Sequence, residues 1–171
     1  MADLTRSRTR QDKNRLGGNA VLYLFNRLDN AFTVDAATNV ISAVNGALTT
    51  VYAYDLENDG NTLAEPMVGD LNTGTRVNTT TVTCVLPFMT VADSAEFNLL
   101  AASNAQAVIK TRNGDYLALG LRAGMNWTIE SATGGATGDL NGYTVTGTSQ
   151  ENKLSPYLDS TTVTAFLLLV A

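Results

Sequence analysis

The chain contains no histidine and a single cysteine, and among its 171 residues there are only three prolines and one tryptophan. Each scarcity removes a chemistry. Without histidine, neither a Ser-His-Asp nor a Cys-His nucleophile can be assembled. A zinc centre would lack both its imidazole ligands and a second thiolate. One cysteine cannot close an internal disulfide, so nothing points to an oxidising compartment. Cys84 sits in the apolar run TVTCVLPFM and reads as a buried, inert thiol. Beyond residue 15 the only lysines are Lys110 and Lys153, neither in an activating motif. Long hydrophobic runs are missing too. The longest, AFLLLVA, has 7 residues, against the roughly 20 that span a bilayer. The opening MADLTRSRTRQDKNR has no apolar stretch of signal-peptide type. No catalysis, no metal or other cofactor and no membrane insertion are expected.

Threonine and asparagine are abundant instead, at 24 and 16 residues. Threonine is β-branched and suits a half-buried pleated surface. Asparagine suits tight turns. Short apolar runs of strand type follow one another: NAVLYLFN (19–26), AFTVD (31–35), TNVISAV (38–44) and LTTVYAYDL (48–56). Residues 57–74 form a long connection without sustained periodicity, a length that is usually functional or disordered. TRVNTTTVTCVLPFM (75–89) is the longest strand candidate. Val82, Cys84, Leu86 and Phe88 alternate onto one face, Thr79, Thr81 and Thr83 onto the other, and Pro87 fits a strand end. The period then changes. Residues 90–104 read as the one flanking helix, capped by Thr90 with Asp93 three residues on. Val91, Ala95, Leu99 and Ala102 make its apolar line, with Phe97 and Leu100 less regularly placed. QAVIKTR (106–112) and YLALGL (116–121) flank Asn113-Gly114, a strong hairpin signal. MNWTIES (125–131), GYTVTGTS (142–149) and STTVTAFLLLVA (160–171) complete the strand set. The expected fold is mainly β: an antiparallel sandwich or partly open barrel with one flanking helix.

Two motifs resemble ligand sites. The glycine-rich ATGGATGDLNGYTV (132–145) lacks the Lys and the spacing of a phosphate-binding loop, and Asp139 would repel phosphate. It reads as a hairpin connection, with Asn141-Gly142 making a second tight turn or bulge. DLENDGNTLAEP (55–66) places Asp55, Asp59 and Gly60 as a calcium loop would. Glu57 and Pro66 break the pattern, and Glu65 falls one residue early. A solvated acidic loop is the simpler reading. Trp127 is the one candidate for a carbohydrate- or ligand-binding module, although core or interface packing is the better reading of a lone tryptophan.

Charge is unevenly placed. Residues 1–15 hold Arg6, Arg8, Arg10, Lys13 and Arg15 against Asp3 and Asp12, a net +3, whereas the remainder carries 6 basic and 14 acidic groups, a net −8. Residues 1–17 therefore form a flexible basic arm on a single β-rich assembly domain, 18–171. The arm is too polar to order alone. An acidic body opposes nucleic-acid binding, so an acidic neighbouring copy is the expected surface for the arm.

From 82 to 146 the order is a strand VTCVLPFM, a helix SAEFNLLAAS, a hairpin AQAVIKTRNGDYLALG and, after a glycine-rich connection, GDLNGYTVT. This pattern, above all LLAASNAQAVIKTRNGDYLALG with TGDLNGYTVTGTSQE, resembles phage tail tube proteins and related subunits of tail-like injection machines. The resemblance implies a β-sandwich or barrel whose copies form rings, six to a ring, stacked into a tube that conducts DNA. It implies a place in the virion tail, after synthesis in the host cytoplasm. Partners would be further copies, other tail proteins and DNA in transit without specific binding. It assigns the arm 1–17 and the loop 57–74, with Glu57, Asp59, Glu65 and Asp70, to joints between rings. It also implies that the C-terminal segment is buried or paired. A head-decoration or tail-completion protein would share the same pattern.

Overall fold

The computed structural model describes residues 7, 8, 13–56 and 58–171. Two sheets face each other. The seven-stranded sheet has the order β2 (Phe32–Asp35), β3 (Val40–Val44), β12 (Tyr157–Leu158), β9 (Tyr116–Leu119), β8 (Gln106–Thr111), β1 (Asn19–Phe25) and β4 (Tyr52–Asp55). The five-stranded sheet runs β10 (Asn126–Ala132), β11 (Gly142–Glu151), β7 (Thr75–Pro87) and β5 (Thr62–Ala64), with β6 (Met67–Asp70) also on β7. Pairing is antiparallel throughout except for β12 with β3 and an isolated bridge from Val51 to Val170. The architecture is a β-sandwich and not a closed barrel.

Alternation explains the layers. In β1, Leu22 and Leu24 enter the core between the sheets, while Tyr23 and Phe25 enter a second core on the opposite face. Strand β8 divides likewise, with Ala107 and Ile109 on one side and Val108 on the other; β9 sends Leu117 and Leu119 one way, Tyr116 and Ala118 the other. The large sheet is thus buried on both faces. The small sheet is buried on one. In β7 Asn78, Thr80, Val82 and Cys84 point inward, and Thr79, Thr81, Thr83 and Val85 are partly exposed. Trp127 closes the inner core, donating its indole N–H to the Ala105 carbonyl at 3.0 Å. Glycine at 147 makes room for that ring: a Cβ there would lie 2.6 Å from it.

Helix α1 (Val91–Ala102) begins where the capping pattern places it, Thr90 Oγ1 accepting from the Asp93 amide at 3.0 Å. It bridges the two sheet edges, packing on β10 and setting Phe97 against Tyr54 of β4 and Tyr143 of β11. The expected apolar line is not the buried one. Phe97 and Leu100 face inward, whereas Val91 is 91% and Leu99 66% exposed, with Ala95 and Ala102 also outside. Two bulky residues suffice to close the sandwich, and the line read from i, i+4 spacing is left in solvent.

Three further expectations change. Residues 160–171 form not a strand but helix α2 (Ser160–Leu167), ending in the Val170 bridge. Its threonines and valine suggest a strand, yet Asp159 caps the first turn, accepting from the Thr162 amide at 2.6 Å, and Thr162 and Phe166 share the buried face. The second helix fills the second core, and burying a side chain such as Phe166 contributes roughly 1.5–3 kcal/mol. The 57–74 connection contains β5 and β6, short strands on one edge of β7 separated at Glu65-Pro66. Phe88 does not continue the inner face of β7. The chain turns there at φ 69°, and the ring is 77% exposed.

Candidate assembly surface

Strands β6 and β7 project a hairpin beyond the body. Its turn is closed by Asp70, whose carboxylate accepts from the Asn72 amide at 2.8 Å, and by Gly74 at φ 64°. That backbone hydrogen bond, with one from the Thr73 side chain, holds the Asp70 carboxyl below its ordinary range. All four β6 residues and the first three of β7 are exposed. Val68 and Leu71 stand free, with Met67 and Val77 beside them. A two-stranded ribbon exposed on both sides is marginal by itself.

The hairpin is fastened at its root by Glu65. One carboxylate oxygen accepts from Thr80 Oγ1 at 3.1 Å, from the Ser155 amide at 3.1 Å, from Asn78 Nδ2 at 3.3 Å and from Ser155 Oγ. Asn78 also donates to the Lys153 carbonyl. Glu65 is therefore spent within its own chain, tying β5–β7 to the segment before β12. Around this root lies a groove of about 820 Å³, lined by Arg76, Val77, Arg122, Thr148 and Glu151 among others. Arg76 Nε donates to the Asn152 carbonyl at 3.0 Å.

The other end of β7 is apolar in a different way. Phe88, Met89 and Val91 are exposed where the strand hands over to α1. Beside them runs a shallow slot of about 530 Å³ between Met89, Val91, Ala95 and Tyr143. The glycine-rich loop 133–141 joins β10 to β11 at this same end. It is the expected hairpin connection. Asp139 accepts from the Gly135 and Ala136 amides, both at 2.8 Å, which lowers its carboxyl pKa and turns those amides away from any anion.

Of the basic arm, Arg6 and Arg10 lie outside the described residues, as does Glu57 of the loop. Arg8 and Lys13 are exposed. Arg15 pairs with Asp115 of its own chain at 2.9 Å, and Leu16 exchanges hydrogen bonds with Asn113. The arm thus ends anchored on the β8–β9 turn. Asp59 pairs with Arg112 at 3.0 Å, which also holds the Asn58 carbonyl. The structure therefore separates Asp59, Glu65 and Asp70 rather than gathering them. Phe88, Met89, Val68 and Leu71 were not singled out as surface residues by the sequence. Their signal lies in LNTG, a turn cluster between MVGD and TRV, and in Pro87, which stops β7 one residue early.

Burial pushes the Cys84 thiol up to about 12, which keeps it protonated. The Lys110 ammonium stands 5.7 Å from the centre of the Tyr116 ring. Among the described residues no three His, Cys, Asp or Glu side chains come together as metal ligands, and no helix is long and apolar enough to cross a membrane. No family model, curated protein or solved structure was found to match this chain.

Proposed function

We propose that this chain is a structural subunit that assembles with copies of itself, and that the assembly is the tube of a virion tail. The carrying observation is apolar surface at both ends of β7: Val68 and Leu71 at one, Phe88, Met89 and Val91 at the other. Thirteen residues of strand separate them, about 40 Å at the usual rise. Two unlike patches on opposite ends suit a heterologous contact, the kind that closes into rings or continues into filaments. Exposed apolar residues gathered in this way favour an interaction site over a solvated surface.

The open face of the small sheet supports the conduit part of the reading. Its outward positions include Thr62, Thr79, Thr81, Thr83, Thr128, Thr144, Thr146 and Thr148, with Ala64, Val85, Asn126, Glu130, Ala132 and Gln150. No lysine or arginine stands among them. A wall that carries hydroxyls and a carboxylate but no cation has nothing to hold a phosphate backbone, so DNA passes without binding. The ligand-module alternative is weakened, because Trp127 is buried. Negative-stain microscopy and sedimentation of the purified chain test the proposal. Rings or tubes are expected, with no salt-sensitive retention of duplex DNA by the body lacking residues 1–15. A chain that stays monomeric at every concentration, or a body that holds duplex tightly, overturns it.

A further inference from the structure

Six cations lie beyond residue 15, and their placement is not random. Arg27 pairs with Asp29 at 3.1 Å and Arg112 with Asp59 at 3.0 Å, while Lys110 covers Tyr116. The other three, Arg76, Arg122 and Lys153, have no ion pair among the described residues. All three gather at one end of the sandwich. Arg76 and Arg122 line the groove at the hairpin root, and Arg122 and Lys153 line the groove adjoining it. The acid within these grooves, Glu151, accepts from the Arg122 amide at 3.1 Å. The hairpin above carries Asp70, and Glu65 at its root is held by Asn78, Thr80 and Ser155, so the grooves themselves keep three cations without an ion pair among the described residues.

The opposite end differs. On its β5 side Arg112 is bound to Asp59 and the Asn58 carbonyl; the segments that meet on its α1 side are Phe88 to the middle of α1, the last residues of β10, the loop 133–141 and the start of β11. They hold Asp93, Glu96, Glu130 and Asp139, and no lysine or arginine. Two local patches, one at each end of β7, thus combine apolar side chains with charge of opposite sign. Val77 lines the cationic groove, with Val68 and Leu71 on the hairpin above it; Met89 and Val91 sit among the acids.

We propose that copies join head to tail, the cationic groove of Arg76, Arg122 and Lys153 on one receiving the acidic end around Glu96 and Glu130 of the next. The inference rests on the assembly reading and adds which ends meet. A second copy is the fitting occupant because each chain carries both halves in equal number. An apolar centre ringed by complementary charge is the usual anatomy of a specific interface. The charges set orientation and encounter rate, and salt weakens them. Free polyanions fit less well, since the whole body repels them. Every assembly built this way has two unlike ends.

Two variants test this. One carries Arg122→Glu with Lys153→Glu, the other Glu96→Arg with Glu130→Arg. None of these four side chains donates or accepts a hydrogen bond among the described residues, so melting curves are expected to match the parent. At low salt the parent forms extended assemblies, and each variant alone stops at a shorter unit. Mixed one to one, the variants regain extended assemblies in which they alternate, because each unaltered end meets an unaltered partner and each reversed groove meets a reversed acidic end. A chain carrying all four reversals regains extended assemblies. Growth of either variant like the parent, or a mixture that does not pair, overturns the head-to-tail contact while leaving assembly itself intact. A parent that never assembles refutes the assembly reading and this contact with it. Duplex DNA captured by the parent and released by the Arg122→Glu, Lys153→Glu chain would reassign the groove to nucleic acid.

Discussion

The two helices are built from similar material and put to opposite use. Helix α2 drives Phe166 to the centre of the second core, against Tyr23, Phe25 and Phe32, and Thr162 donates to the Ile41 carbonyl beneath it. Helix α1 commits Phe97 and Leu100 to the first core and leaves Val91, Ala95, Leu99 and Ala102 outside. The difference lies in what each helix must cover. α2 roofs the open face of a sheet, whereas α1 plugs a slot between two sheet edges, where only a narrow stripe fits. An apolar line on a helix therefore reports a surface that wants a partner, and that partner need not belong to the same chain.

The largest break in this comparison comes from Phe166→Ala. It removes a ring shared by three aromatic neighbours and costs about 4 kcal/mol, measured as a lower denaturation midpoint. Phe97→Ala follows at about 3 kcal/mol, because α1 covers less core and its slot can partly collapse. Val91→Ser with Leu99→Ser separates the helices most sharply. Stability stays within about 0.5 kcal/mol of the parent, as for surface changes generally, while sedimentation shows reduced assembly. Unchanged assembly would return α1 to a merely structural role. The smallest effect concerns pH. The Asp159 carboxyl that caps α2 is held below its ordinary range by hydrogen bonds from the Thr162 side chain and the Thr162 and Thr161 amides. A depressed carboxyl stabilises the fold above the unfolded value, roughly pH 4, and that stabilisation is lost as pH falls through the folded value. Asp159→Asn is therefore expected to lower the melting temperature slightly at neutral pH and to flatten its decline in acid. The α1 cap is a threonine hydroxyl, and Thr90→Ser leaves the acid profile of the parent in place.

The sandwich is legible in the sequence wherever one local rule governs a stretch. Asn113-Gly114 turns β8 into β9, with Gly114 at φ 87° as such a turn requires. Thr90 starts α1, and threonine alternates with apolar residues along β7. Legibility stops where two rules compete. Thr161, Thr162, Val163 and Thr164 favour a strand by type, but the Asp159 cap and a waiting aromatic core select a helix. Residues 62–70 are too short and too exposed to display a period, and β7 supplies the pairing that they cannot announce. The surface proposed for assembly is the least legible part. The polarity of Arg76, Arg122 and Lys153 against Glu96 and Glu130 exists only once β7, β10 and β11 are laid side by side, since in the chain these charges are interleaved.

The large sheet also fixes when the subunit can exist. Strand β1 pairs with β8, so residues 19–25 wait for residues 106–111. Strand β3 waits for β12, and Val51 waits for Val170. Sheets closed by such distant segments fold slowly, because the loop entropy is spent before the contacts form. A chain emerging from the ribosome amino-end first therefore holds β1 unpaired on one side until residues 106–111 emerge, and β3 until residues 157–158 do. Until then the second core stays incomplete and Val51 is not locked in place. Emergence of these last elements becomes the step that turns a collection of sticky strands into a building block.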